Sequence, residues 1–298
     1  MRHAYLILAH HDFAVLAYLV QAIDDERNDI FIHFDTKVVD VPVISTCRSR
    51  LFYVKKRVDV RWGDVSIIKA EYALFEEALH SGESYGYYHL LSGVDLPIKS
   101  QNYIHDFFQR HKGTEFIGFN TAISSLEVNR KVQLYYLFPK SFRSNNSVLH
   151  ITKRIIRGLA IRFQIFLGLG RSKNVNFKKG TQWLSVTEAF VKFIIPKKEE
   201  VIKRFRYTFC GDEIFLQTLC WESPFRNNVF DLADEGRSCL REIRWINNEI
   251  IDWQQEDFSE LMQSDKIFAR KFSSQHMNLV RKILDAIKKS RSDGFPLG

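Results

Sequence analysis

The chain reads as an α/β protein built on a mostly parallel, Rossmann-like central sheet flanked by helices, and three observations predict it. A continuous apolar run at Ala4–Ala9 is followed by a helical pattern through Leu16, Leu19, Val20 and Ile23, and then by a strand candidate at Asp29–Phe34. That order is a β-α-β unit, which implies a parallel strand pair. The chain has 298 residues, 45% of them hydrophobic and 14% aromatic, enough to fill a substantial core.

The first strand runs out into His10-His11-Asp12 and the second into Asp35-Thr36-Lys37. In a parallel sheet, ligand groups gather at these C-terminal strand ends. No Gly-x-Gly-x-x-Gly follows the first strand, so a dinucleotide fingerprint is absent. A third strand is predicted at Leu51–Val54, and Trp62-Gly63 marks the junction into a long helix from about Ile67 to Leu79. Tyr87–Leu91 reads as another buried strand. It enters Ser92-Gly-Val-Asp-Leu-Pro-Ile-Lys99, where Gly93, Asp95 and Pro97 supply turn chemistry.

A helix over 101–111 and a strand at Glu115–Phe119 come next, after which regular patterning weakens through a polar and aromatic stretch with Arg130, Tyr135 and Tyr136. Acceptor-binding loops are expected there. Residues 151–167 place Lys153, Arg154, Arg157 and Arg162 among apolar residues at helical spacing. Such a helix either lies at an anionic membrane interface or packs one face on the core. Gly180–Val186 is predicted as a strand, with a helix from Thr187 and another carrying Asp212 and Glu213. The C-terminal third offers Leu240–Ile246, Glu256–Leu261 and Ser264–Phe272, then a basic helix from about 275 to 290 whose tail is expected to fray. No internal repeat, low-complexity tract or linker interrupts the chain. The expected organisation is one domain over 1–298: a nucleotide-binding half at about 1–112, an acceptor and catalytic half at about 113–275, and the C-terminal helix.

The net charge of +8 suits a surface that attracts anions, such as nucleotide phosphates, nucleic acid or an acidic membrane. Its basic residues are dispersed and no nucleic-acid-binding motif accompanies them, so no nucleic-acid partner is expected. Four scattered cysteines, Cys47, Cys210, Cys220 and Cys239, have no metal-ligand spacing and fit a reducing compartment. The apolar run at the N-terminus is too short for a signal-peptide core, and no later window reaches the length of a membrane span. The expected location is the cytoplasm, with contact at the inner face of the cell membrane left open.

The stretch Phe209–Trp221 carries the sharpest chemical signal. Gly211 releases the chain, Asp212 is a good N-cap, and Ile214, Phe215, Leu216 and Leu219 form an apolar face. Glu213 is thereby expected at a helix N-terminus, where the macrodipole favours a carboxylate that can accept a proton from a hydroxyl.

Taken in order, the pieces that single themselves out are the opening strand with His10, His33-Phe-Asp-Thr-Lys37, Trp62-Gly63 with Ser66, Leu91–Lys99, Gly180-Thr-Gln-Trp183, Asp212-Glu213, Arg244, and Phe268-Ala-Arg-Lys-Phe272. Together they resemble the Core-2/I-branching glycosyltransferase family, which includes peptide O-xylosyltransferases, and the resemblance spans nearly the whole chain. It implies a GT-A-like fold, a nucleotide-sugar donor, usually UDP-linked, and inversion to a β-linked product. Glu213 matches the family's base. Many GT-A enzymes hold the diphosphate through a metal on Asp-x-Asp, yet no two aspartates in this sequence are two positions apart.

The family's metal-independent members use an Arg and a Lys near the C-terminus, which fall here on Arg244 and Lys271, with Arg270 and Arg241 as neighbours. No cofactor and no divalent metal are therefore expected. Asp35 matches a position that contacts the uridine, His10 and Trp62 are expected to help wall that pocket, and Asp95 lies in a matching motif. Trp183 is expected to stack on a sugar ring, with Arg130 and Asp212 beside it on the acceptor side.

The resemblance implies a UDP-sugar donor, UDP-N-acetylglucosamine first and UDP-xylose next, and a glycan acceptor, with lipid linkage left open. No membrane anchor or cysteine framework like those of the animal branching enzymes is expected, and the sequence looks more like bacterial members that decorate cell-surface polysaccharides. A catalytically silent sugar- or membrane-binding domain on the same fold is the alternative, because a fold does not guarantee activity.

Overall fold

The computed structural model describes residues 1–143, 147–247 and 249–292. In chain order the first elements are β1 (His3–Ala9), α1 (Phe13–Ile23), β2 (Asn28–Phe34), β3 (Arg50–Tyr53), α2 (Ser66–Leu79), β4 (Tyr87–Ser92), β5 (Asp95–Pro97) and α3 (Gln101–Arg110). The middle holds α4 (Ser125–Gln133), α5 (Ser147–Phe166), β6 (Leu184–Thr187), α6 (Glu188–Ile194), α7 (Lys198–Phe205) and α8 (Phe215–Trp221). The last third holds α9 (Glu235–Cys239), β7 (Arg241–Ile243), β8 (Trp245–Ile246), β9 (Glu249–Ile250), α10 (Phe258–Gln263), β10 (Phe268–Arg270) and α11 (Met277–Ser292).

The central sheet has five strands in the order β3-β2-β1-β4-β6. The first four run parallel and β6 closes the edge antiparallel to β4. Alternate residues of β1 face opposite sides. Ala4 and Leu6 join a core with apolar residues of α2, α6, α7 and α8, while Tyr5 and Ile7 join a second core with those of α1, α3 and α11. Helices on both faces explain why the strand segments are apolar throughout instead of alternating. The predicted α/β architecture with a mostly parallel sheet is therefore observed.

A small second sheet, β5-β10-β7, sits beside the C-terminal end of β4. It was not legible as a sheet, because its strands have three residues each and come from distant parts of the chain. The segment expected to be turn chemistry around Asp95 is one of these strands, with Asp95 opposite Arg270.

Other departures have local causes. Glu115–Phe119 forms only isolated bridges, Glu115 with Val229 and Phe116 with Ser185, so it braces the sheet edge without extending a ladder. Only the C-terminal half of the 180–186 segment is a strand. A Cβ at Gly180 would come within 1.8 Å of the Gly118 carbonyl oxygen, so this close crossing of two backbones replaces regular pairing there. The weakly patterned stretch contains α4, whose N-cap Ser124 accepts from Glu127 N. Asp212 is not an N-cap. A 3-10 turn over Gly211–Glu213 precedes α8, and the sharp entry is made by Cys210 in a left-handed conformation, φ 50°. The C-terminal helix begins at Met277 and buries Leu279, Val280, Ile283 and Leu284. The expected fraying of its tail concerns residues 293–298, which lie outside the described residues.

Candidate active site

A cavity of about 880 Å³ opens at the C-terminal ends of β1, β2 and β4, the place where parallel sheets bind ligands. Of the residues singled out from the sequence, His10, Asp35, Trp62, Trp183, Asp212, Glu213 and Arg270 line it. Strand register accounts for the first two. Ala9 and Phe34 end their strands side by side, and Asp35 N donates to Ala9 O at 3.0 Å, so His10 and Asp35 leave the sheet together.

At this end the Asp35 carboxylate is held by Lys37, accepting from its backbone N at 2.9 Å and pairing with its ammonium group. Lys37 Nζ also lies 3.2 Å from Asp59, which fixes a lysine at the rim. Burial, and then His11, push the His10 imidazole down to about 4, so the ring is neutral near pH 7. His33 is also pushed down to about 4 by burial, and its Nε2 accepts from Val58 N at 2.9 Å. Trp62 is 44% exposed, with its ring edge-on to Phe209 and the Arg143 guanidinium 4.1 Å above it. Gly63, at φ 75°, lets this corner turn and accepts from Cys210 N.

The opposite wall carries the acids. Lys179 Nζ lies 3.0 Å from Glu213 Oε2, and Gly180 N donates to Glu213 O at 2.9 Å. The backbone crossing at Gly180 thus sets the carboxylate's height in the cavity. Asp212 is buried beside it and its Oδ1 has no hydrogen-bond partner among the described residues. Burial and the neighbouring Glu213 push its carboxyl up to about 7. Behind it lies Glu71, buried within α2 and raised well above the ordinary carboxylate range by burial and by Asp212. Gln182, a cavity residue, donates to Glu71 Oε1 at 2.7 Å. Glu235, bonded by Asn120 at 3.0 Å, completes this wall.

The third side is basic. Arg270 donates to Asp95 at 2.7 Å and its guanidinium lies 4.2 Å from the Trp183 ring centroid. Asp95 is 1% exposed and does not line the cavity; it serves as the buried anchor that aims Arg270. Arg241 forms the floor, 2% exposed, donating to the Leu90, Leu184 and Cys239 carbonyls and to Ser185 Oγ. Arg244 and Lys271 are immediate chain neighbours of the lining residues Ile243, Trp245 and Arg270, but they are not part of the wall. Arg244 pairs with Asp257, and Lys271 lies 3.4 Å from Asp252. Arg130 is exposed on α4, away from the cavity lining.

Sequence reasoning singled out Gln182 only as part of the Gly180-Thr-Gln-Trp183 segment, without a role, and missed Lys179, Glu235, Asn120 and Glu71. Lys179 directly precedes that segment, which was the available signal; Glu235, Asn120 and Glu71 become site residues only through folding. Among the described residues, no group of three or more His, Cys, Asp or Glu side chains is placed to hold a metal ion. The arrangement can take a proton at Glu213 and meet negative charge at Arg270 on the wall of one cavity.

The family model for the Core-2/I-branching enzyme matches residues 3–281. Similar proteins include the human N-acetyllactosaminide beta-1,6-N-acetylglucosaminyl-transferase, 22% identical over 310 residues, covering 97% of this chain and 72% of that one. The mouse beta-1,3-galactosyl-O-glycosyl-glycoprotein beta-1,6-N-acetylglucosaminyltransferase 4 is 23% identical over 226 residues, covering 72% of this chain and 46% of that one. The xylosyltransferase oxt of Drosophila pseudoobscura pseudoobscura is 21% identical over 237 residues, covering 73% of this chain and 25% of that one. Among solved structures, apo mouse xyloside xylosyltransferase 1 covers 89% of this chain, and this chain covers 97% of it, with a TM-score of 0.36 at 10% identity.

Proposed function

We propose, from the premise that the chain belongs to the Core-2/I-branching enzyme family and is a glycosyltransferase, that it moves N-acetylglucosamine from the UDP-linked sugar to a hydroxyl of a glycan acceptor. In this proposal the transfer inverts the anomeric centre, gives a β-linkage and needs no divalent metal. The observation that carries it is the single cavity with Glu213 on one wall and Arg270 on another.

Glu213 accepts the proton of the acceptor hydroxyl as that oxygen attacks the anomeric carbon. The bond from that carbon to the diphosphate breaks on the opposite face, and the electron pair leaves with UDP. Arg270 stands where the departing charge can be met without reorganisation, because Asp95 and Trp183 already fix its guanidinium. Lys271 and Arg244 add positive charge from the rim. Lys179, whose Nζ lies 3.0 Å from Oε2, orients the Glu213 carboxylate before the acceptor arrives. Asp35, His10 and Trp62 wall the nucleotide end, while Asp212 and Trp183 belong to the acceptor side. Arg130, lying off the cavity, is assigned there only for an acceptor that extends beyond it.

UDP-xylose is the second donor, favoured by the similarity to a protein named as a xylosyltransferase. A role in cell-surface polysaccharide synthesis and a cytoplasmic location complete the proposal, supported by four cysteines that are all free. The test is UDP release and product linkage with each donor and β-galactoside acceptors, wild type against Glu213→Gln. Transfer should fall by at least about a hundredfold with UDP affinity unchanged. Substantial transfer by the variant would remove Glu213 as the base.

A further inference from the structure

We infer that the outward face of α5 is a docking surface for an anionic lipid bilayer. The helix is mounted against its own polarity. Among the described residues its two buried side chains are polar: Arg157 and Gln164 are each 8% exposed. Arg157 donates to the carbonyls of Leu137 and Phe138 and lies over the Phe142 ring, while Gln164 bonds both the N–H and the carbonyl of Tyr135. Lys153 reaches Ser141 on the same side. Apolar residues at helical spacing point the other way. Ile155 and Leu159 are each 57% exposed, Phe163 is 61% and Phe166 is 84%. A water-facing helix would show the reverse arrangement.

The exposed apolar residues are concentrated here. Of the 26 large hydrophobics exposed among the described residues, 14 fall within 135–169. An apolar patch of this kind marks an interaction surface. Charge identifies the occupant. Residues 128–187 contain 12 Lys and Arg and neither Asp nor Glu. Arg154 and Arg162 are exposed along α5, with Lys140, Arg143 and Lys173 exposed near its ends. Apolar residues that enter the acyl boundary, flanked by cations that meet lipid phosphates, are the design of an interfacial helix. A second copy of this chain would bring the same cations against themselves. No helix among the described residues is long and apolar enough to cross a membrane, so the contact is one of lying on the surface.

The docking face adjoins the cavity. Phe142, which carries the stacked Arg157, also packs on Phe209, and Phe209 meets the cavity residue Trp62. Docking would therefore bring an acceptor carried on a lipid close to the site. That consequence rests on the transferase reading, whereas docking itself does not.

The test is flotation of the whole protein with vesicles, in the absence of any nucleotide. One set holds equal parts phosphatidylglycerol and phosphatidylcholine, the other phosphatidylcholine alone. The protein should float with the anionic vesicles at least about tenfold more strongly than with the neutral ones, and less so at high salt. The triple variant Ile155→Ser, Leu159→Ser, Phe163→Ser should weaken this binding more than about tenfold while leaving the thermal midpoint and UDP affinity unchanged, because these side chains support no core. Arg154→Glu with Arg162→Glu should do the same through charge. Failure of the wild type to float with anionic vesicles, or unchanged flotation of the triple variant, would overturn the inference. So would a wild-type dimer that the triple variant converts to monomer without any vesicle binding.

Discussion

Asp212 is the residue whose environment departs furthest from what the sequence predicts. It was expected to cap a helix, where a carboxylate is welcome. Instead it is buried between Glu213 and Glu71, and its carboxyl is pushed up to about 7. A carboxyl raised in the folded state binds more protons folded than unfolded across the window from about 4, its unfolded value, to about 7. Stability is therefore lost as pH rises through that window, and the loss is complete above it. Asp212→Asn removes the ionisation, so the variant should match wild type at pH 4 and exceed it at pH 8 by on the order of 4 kcal/mol in denaturant unfolding. Parallel profiles for the two proteins would mean that the carboxyl is already ionised without cost. Glu213 was legible because an acidic pair before an apolar helix is a local pattern. Lys179 was not, since beside Lys178 it looks like solvated surface charge and only the crossing of the Gly180 and Gly118 backbones carries it to Glu213.

Among the elements, the long apolar strands and the amphipathic helices of the central sheet were legible with boundaries within a few residues, because periodicity and burial are written locally. The three-residue strands of the second sheet carry no such signal, yet they hold the basic side of the site. Asp95 on β5 anchors Arg270 on β10, and removing one partner of a buried pair leaves the other uncompensated. Asp95→Ala should cost about 3 kcal/mol of stability and weaken UDP binding, measured by chemical unfolding and by titration. An unchanged UDP affinity would detach Arg270 from the diphosphate. At the other wall, Gly180→Ala forces a Cβ to within 1.8 Å of a backbone oxygen, which no side-chain movement relieves. The expected result is a lowered thermal midpoint together with reduced transfer, because the same segment bonds Glu213. A midpoint equal to wild type would mean that the crossing is loose.

At the scale of the whole molecule, the sheet with helices on both faces places the ends of β1, β2 and β4 at one cavity, and the chain crosses that cavity again at 179–183, 212–213, 241–243 and 270. The order of these pieces was legible through the family resemblance. Their convergence was not, because it depends on how distant segments fold onto one sheet edge. The mounting of α5 was equally hidden: periodicity identifies an amphipathic helix without saying which face meets the protein. The central claim is that fixed cations, and no metal, hold the diphosphate in this cavity. Calorimetric titration of the protein with UDP, UDP-N-acetylglucosamine and UDP-xylose, each with manganese and with EDTA, tests it most directly. The account predicts binding of equal strength in both conditions, weakened at least about tenfold by Arg270→Ala. Binding that requires manganese, or none in either condition, would contradict it.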